Sequence, residues 1–405
     1  MESSRNASLL LLGLLCAAMS VCPQTTQAKT CTSFTILCLT NASGVETMLD
    51  LPAPQANGTY NYGTIRLLPG DQLLLKVRFS GDVWECTSQV TRDGGAFMVA
   101  TLGGYGQPTY DVSALGSYAA YNTTTTLNPD GSTGQRCTFT VAQVTNGSAP
   151  IDLLMRVGCT LEGARNTTGY GMRNDLALLG QIPCSEPYSA LGYPTSAAGI
   201  EQVDGCADLF VQKQIVDWVH IELRDPASPS AIVASANGLL SSTGVVVSTD
   251  GISPVHMTAP PGDYRLLVEH RNHLGFITDQ AIPFRGQAPV IMSSPSGGLV
   301  VFYIIGLPLP LNPTCAGGTC TMRLGNTNST GSTQCVSYMG QANDRDPILL
   351  RIGGSPPTNL VTGYYMEDVN MDGVVKYVGA NNDRDLILQA IGGSIPTNVV
   401  VGQTP

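Results

Sequence analysis

Apolar residues along this chain recur mostly at every second position. Leu73, Leu75, Val77 and Phe79 would share one face of a strand, with Lys76 and Arg78 on the other, and the turn formers Pro69, Gly70 and Asp71 stand just before them. Val219, Ile221 and Leu223 alternate with His220, Glu222 and Arg224. Tyr264, Leu266 and Val268 repeat the pattern after Pro260, Pro261, Gly262 and Asp263. Half-buried strands closed by turns at short spacing predict β-sandwich construction. The 45 glycines, the 26 prolines and the threonine-rich runs argue against long helices.

The pattern divides the chain. Residues 1–28 read as a secretory signal: Arg5 supplies a positive charge, Leu9 to Met19 an apolar core, and Thr26, Gln27 and Ala28 a small-residue cleavage site. Residues 29–150 form a Gly/Thr-rich β domain, and residues 151–298 a second β-sandwich-like domain with an irregular, partly helical entry. Residues 299–311 form a linker or buried strand, and residues 312–405 a terminal module. The apolar segment Phe34 to Leu39 is either the first strand of its own domain or a strand added to a neighbour's open sheet edge.

Composition narrows the function. Charged residues make up 12% of the chain, about half the usual share of roughly 25%. The net charge is −10 with no basic patch, which argues against nucleic acid and anionic membrane surfaces as partners. Export makes cystines the default state of the ten cysteines beyond the signal. Sequons at Asn41, Asn57, Asn122, Asn146, Asn166 and Asn328 mark candidate glycosylation sites.

The terminal module is duplicated. Asn343, Asp344, Arg345 and Asp346 recur as Asn382, Asp383, Arg384 and Asp385, a spacing of 39 residues. Ile348, Leu349 and Ile352 match Ile387, Leu388 and Ile391. The Gly-Gly-Ser and Pro-Thr-Asn stretches that follow match as well. Each unit predicts a capped short helix stopped by two glycines. Helices this short need each other, and the six matched aliphatic residues would be buried between them.

Ahead of the second helix, Asp368, Asn370 and Asp372 occupy positions one, three and five of a calcium loop, with Gly373 at six and the carbonyl of Val374 at seven. Position twelve is Gly379, so the closing carboxylate would be Asp383 or Asp385. In the first copy Asn326 and Asn328 stand in the corresponding places, with Asp344 and Asp346 as the first carboxylates to follow. Calcium is the expected cofactor.

Longer motifs carry a resemblance. Leu161-Glu162-Gly163, Gly171-Met172-Arg173, Glu186-Pro187-Tyr188, Leu191-Gly192-Tyr193, Val216-Asp217-Trp218-Val219 and His270-Arg271-Asn272-His273-Leu274-Gly275 precede the twin units. Together they resemble a C-terminal assembly of secreted and surface, hemagglutinin-like proteins of Bacteroidota-type bacteria. The twin unit resembles a dockerin, a paired calcium-loop module. The resemblance implies a non-catalytic extracellular role in adhesion or surface structure, with Asp368, Asn370 and Asp372 as metal ligands.

No metalloprotease, nucleophile-elbow or phosphate-loop motif is present. His270 and His273 flank a turn, and no third ligand follows nearby, which favours a structural role. The leading expectation is a secreted structural or adhesive surface protein, a candidate fibre subunit that associates with itself or with another surface protein. A carbohydrate-binding or docking protein is the alternative, and a secreted hydrolase the third.

Overall fold

The computed structural model describes residues 32–49, 55–56, 58–80, 86–102, 109–124, 136–144, 149–166, 171–194, 201–278, 280–286, 290–291, 314–316, 319–328 and 334–402. The expected signal, the linker 299–311 and the sequons at Asn57 and Asn146 lie outside the described residues.

The alternation at Leu73 and Leu75 is realised in the strand Gln72–Ser80, where both side chains are fully buried. This strand pairs with Thr32–Thr40 and with Thr109–Asp111. Thr32–Thr40 in turn pairs with Glu46–Leu49. Phe34 to Leu39 therefore lies in a strand of its own sheet: Gln72–Ser80 pairs along its whole length, and Glu46–Leu49 pairs on the other edge from Leu37 to Thr40.

The protein is mainly β, in largely antiparallel sheets of sandwich type, with parallel pairing between Thr59–Leu67 and Arg136–Gln143 and between Ile151–Gly158 and Val290–Ile291. The long sheet runs from Thr109–Asp111 through Thr32–Thr40 to Ile151–Gly158, and on through Ile232–Ser241, Ile215–Arg224 and Gly262–His270 to His273–Ile277. A second sheet is built from Thr59–Leu67, Arg136–Gln143, Gly116–Thr124, Cys86–Arg92 and Gly95–Leu102. Leu37 and Leu75 from the first sheet share one apolar core with Ile65 and Phe139 from the second.

Hydrogen bonding crosses the boundary expected near residue 150. Val290–Ile291 pairs with Ile151–Gly158 on one side and Glu46–Leu49 on the other. The buried Arg285 guanidinium donates to both Asp71 oxygens at 2.5 and 3.1 Å and to Asp263 Oδ1 at 2.6 Å.

Ile215–Arg224 departs from the half-buried expectation, because its polar face is covered as fully as its apolar one. The cover is the stretch around the helices Asp175–Leu178 and Cys206–Gln212, which the Cys184–Cys206 disulfide ties together. The Tyr188 and Tyr193 rings lie 5.4 and 5.3 Å from the His220 ring. Cystines do not extend to every cysteine. Cys159 is a thiol in the core, pushed up to about 12 by burial, and Cys335 is a half-buried thiol. A buried thiol packs as a small hydrophobe.

One glycosylation candidate is buried. Asn41 is 4% exposed, and its Oδ1 accepts the Ser43 and Val45 N–H groups at 3.1 and 2.9 Å. Its Nδ2, the atom a glycan would need, faces Asp263 Oδ2 at 3.3 Å. Asn122 lies on the strand Gly116–Thr124, and Asn166 is half-buried. Among the described residues no helix is long and apolar enough to cross a membrane.

The terminal duplication folds as a swapped pair. Asn343 Oδ1 accepts the Asp346 N–H, and Asn382 Oδ1 accepts the Asp385 N–H, each at 2.9 Å, opening the helices Arg345–Arg351 and Asp383–Ala390. Gly354 N–H closes back on Leu349 O, and Gly393 N–H on Leu388 O, both at 2.8 Å. These glycines take positive φ, which stops each helix. Ile348, Ile352, Ile387 and Ile391 form one core with Val336 and Val375, and Leu349 and Leu388 lie at its margin. Cys335–Ser337, from the first copy's loop, pairs with Val399–Val401 after the second helix. Leu360–Thr362, after the first helix, pairs with Val374–Lys376 from the second copy's loop. Each copy thus supplies the strand that the other's loop requires.

Candidate functional site

Loop two wraps its polar side chains inward. Asp368 accepts the Asp372 N–H at 3.2 Å and the Gly373 N–H at 2.9 Å. Asn370 Oδ1 accepts the Asp372 N–H, and Asp372 Oδ1 accepts the Val374 N–H, each at 2.9 Å. Gly373 sits at φ +83°, the conformation the sixth position demands. Val374 begins the strand that pairs with Leu360–Thr362.

The structure separates the two closing candidates. Asp383 is fully buried and turned into the loop, accepting from Val369 N at 2.9 Å, Asn370 N at 3.4 Å and Lys376 N at 2.8 Å. Asp385 points away and pairs with Asn382 Nδ2 at 2.8 Å and with Arg384. Burial, and then the charge of Asp368, pushes the Asp383 carboxyl up to about 8, while burial pushes Asp368 up to about 6. Carboxylates crowded out of water in this way are relieved by a cation. The donors are all oxygens, which suits a hard cation such as calcium in kind. In spacing the set is open. Among the described residues, the group of His, Asp and Glu side chains with ligand atoms all within 4.8 Å is His220, Glu222 and Glu269, so Asp368, Asp372 and Asp383 stand wider than that.

Loop one keeps the frame and loses the charges. Asp344 accepts from Thr327 N at 2.9 Å, Asn328 N at 3.2 Å and Ser337 N at 2.7 Å. Asn326 and Asn328 therefore stand where Asp368 and Asn370 stand in loop two. The Asn326 side chain is buried, and its Nδ2 finds no hydrogen-bond partner among the described residues. Asn328 Nδ2 donates to Ala342 O at 2.9 Å. Asp346 faces outward with Arg345 and Asn343.

Beneath the loops lies a buried polar seam that sequence reasoning did not foresee. Asp217 accepts from His270 Nε2 at 3.1 Å, Arg271 Nε at 2.9 Å, Trp218 N at 2.8 Å and Tyr364 Oη at 2.6 Å. Despite burial, Arg271 and His270 hold its carboxyl down at about 2. Arg271 stacks on the Tyr364 ring, 4.2 Å from its centroid, and donates to Tyr365 O. The Gly163 N–H donates to His273 Nε2 at 3.0 Å, so His273 carries its proton on Nδ1, facing Asn272 Oδ1 at 2.7 Å and His270 Nδ1 at 3.0 Å. Burial lowers the affinity of both histidines for a further proton. The pair is held by hydrogen bonds to Gly163, Asp217 and Asn272.

A second network sits under the two tyrosines. Asn237 Nδ2 donates to Glu201 at 2.9 Å, which leaves its Oδ1 to accept from His220 Nδ1 at 2.7 Å. His220 Nε2 meets Glu222 Oε1 at 3.2 Å, and Arg224 pairs with the other Glu222 oxygen. Gln334 of the terminal module donates to Glu269 Oε1 at 2.5 Å. Burial, and then the Glu222 charge, pushes Glu269 up to about 7, and His220 is raised despite burial by its bonds to Glu222 and Asn237. The signal for this network was present in the strand's polar alternation, but not the cover that buries it.

No family model matches this chain, and no curated protein matches it. A solved structure of the Bacteroides ovatus mixed-linkage glucan utilization locus protein SGBP-B, in complex with a mixed-linkage heptasaccharide, is similar at 14% identity and a TM-score of 0.15. The match covers 60% of this chain and 60% of that one. A likeness this loose carries no argument about function.

Proposed function

We propose that this chain is an exported, non-catalytic structural or adhesive protein of the cell surface, ending in a dockerin-like module braced by calcium. The observation that carries the reading is the inward-turned Asp383, which closes a loop of oxygen donors with Asp368, Asn370 and Asp372 while its neighbour Asp385 serves the helix cap. A continuous β core, with the Arg285 clasp between Asp71 and Asp263, suits a load-bearing role. The glycan-binding alternative calls for an exposed aromatic platform. Trp218 is buried with its Nε1 donating to Pro183 O at 2.9 Å, and Trp84 lies outside the described residues.

The test is thermal unfolding with calcium and with chelator, on the full chain and on Asp372→Ala. Calcium should raise the melting temperature of the parent and do much less for the variant. Superimposable curves in all four conditions would reduce loop two to a turn. Negative-stain images with calcium present address assembly, and dispersed monomers alone would remove the fibre.

A further inference from the structure

The main-chain carbonyls of loop two are held by side chains of the β domain before it. Asn272 Nδ2 donates to Asp368 O at 2.7 Å and to Met366 O at 3.2 Å. Arg173 Nη2 donates to Asn370 O at 2.7 Å and to Gly163 O at 2.8 Å. Gln181 Nε2 reaches Gly373 O at 3.3 Å. The approach is so close that a Cβ on Gly163 would lie 2.0 Å from Val369 O.

Asn272 also reaches loop one, its carbonyl accepting the Gly325 and Asn326 N–H groups at 3.0 and 3.1 Å. One residue of the β domain therefore binds the first position of both loops, Asn326 through its N–H and Asp368 through its carbonyl. Arg173 and Asn272 make these bonds to the backbone and none to a loop carboxylate, so they set where the loop's donors stand without themselves being donors to a cation.

We infer that the β domain is a working part of the second cation loop, with Arg173 and Asn272 as positioning residues, so that calcium binding and docking of the terminal module form one linked equilibrium. The inference rests on the calcium reading above. Linkage is reciprocal: whatever docking adds to calcium affinity, calcium adds to docking. A loop whose backbone is fixed in advance binds without the cost of ordering it. Loosening that backbone from the β-domain side should weaken calcium without touching a ligand.

The experiment is calcium titration by calorimetry on the full chain and on Arg173→Ala, Asn272→Ala and the control Arg384→Ala. Arg384 stacks on Tyr377 at 5.0 Å and pairs with Asp385, away from the loop carbonyls. Calcium affinity should fall roughly tenfold in the first two variants, within the usual range of such couplings, and stay unchanged in the control. Arg173→Lys, which keeps one donor toward the carbonyls, should recover part of the loss. Amide exchange by mass spectrometry should show residues 161–173 and 270–275 less protected in chelator.

Should Asn272→Ala fail to fold, Arg173→Ala carries the test, its side chain being 34% exposed. Parental affinity in Arg173→Ala, or exchange in those segments indifferent to chelator, would overturn the inference while leaving calcium binding standing. A parent chain that takes up no calcium would bring down the reading of the loop, and the inference with it.

Discussion

Asp344 and Asp383 grip the two loops in the same way, each spreading one carboxylate over three main-chain N–H groups. The grip survives in loop one, where Asn326 stands in the place of Asp368. It is therefore a folding device first, and loop two adds carboxylates to it. Removing either side chain would leave three N–H groups without their acceptor, at about 1–3 kcal/mol for each one buried. Asp344→Ala and Asp383→Ala should each destabilise the module by at least about 3 kcal/mol in chelator. Asp346→Ala and Asp385→Ala, whose carboxylates face outward, should cost about 1 kcal/mol or less. Urea unfolding of the four variants checks the contrast, and equal losses would contradict it.

Gly163 has no room for a side chain, because the Val369 carbonyl would lie 2.0 Å from its Cβ. That neighbour is backbone and cannot rotate away. Gly163→Ala should therefore cost about 3 kcal/mol or more, at the upper end for overpacking. Gly340→Ala, with nothing within 4 Å among the described residues, should suffer only from its φ of +105°. Comparing their urea midpoints separates a close-approach glycine from a conformational one.

The Asn41 sequon makes a prediction about mass. Its amide is committed to a turn and to Asp263, so Asn41→Gln should leave the glycan mass of protein exported by a glycosylating expression host unchanged. A shift in intact mass beyond the substitution itself would show that the site is modified before it folds.

What could be read in the sequence was local. The caps at Asn343 and Asn382, the paired glycines and the isoleucine spacing act over a few residues, and each lies where its chemistry places it. The choice between Asp383 and Asp385 was also open to local logic. Asn382 takes the helix cap and binds the residue three positions on, which commits Asp385 and frees Asp383 to turn back. The buried networks were not legible. Asp217 and Tyr364 lie 147 positions apart, and nothing near either announces the other. Alternation around His220 gave the right face, but it could not say that Tyr188 and Tyr193 would fold over it.

Glu269 should make stability depend on pH. Its carboxyl titrates near 7 in the folded chain against an ordinary 4.5, through burial and the Glu222 charge. A raised folded value favours the protonated form. Its contribution is complete below about pH 4.5 and is lost as pH rises through 7, by up to about 3 kcal/mol. His220, also raised, works in the same direction, its contribution present below 6.5 and lost above its folded value. Glu269→Gln retains an acceptor for Gln334 Nε2 and cannot ionise. Urea unfolding at pH 5 and pH 8 should show a smaller drop in the variant than in the parent, and equal drops would place the dependence elsewhere.

The seam histidines should behave in the opposite sense, and their tautomers are fixed by their partners. His273 accepts the Gly163 N–H at Nε2 and so bears its proton on Nδ1. His270 faces Asp217 through Nε2, which places its proton there and leaves Nδ1 bare toward His273. Neither ring has a free position for a second proton, and burial lowers the proton affinity of both. Unfolded histidine takes up a proton as pH falls through about 6.5. The folded chain refuses that proton, so the stability these residues contribute is present above 6.5 and is lost as pH falls below it. Asp217, held near 2, withdraws its own share only below about 3.8. Nitrogen-15 imidazole spectra at pH 5.5 should show two neutral rings of opposite tautomer, Nε2–H at His270 and Nδ1–H at His273. A doubly protonated ring at either position would mean that the seam opens in mild acid, and that Asp217 does not hold the two parts together as its bonds imply.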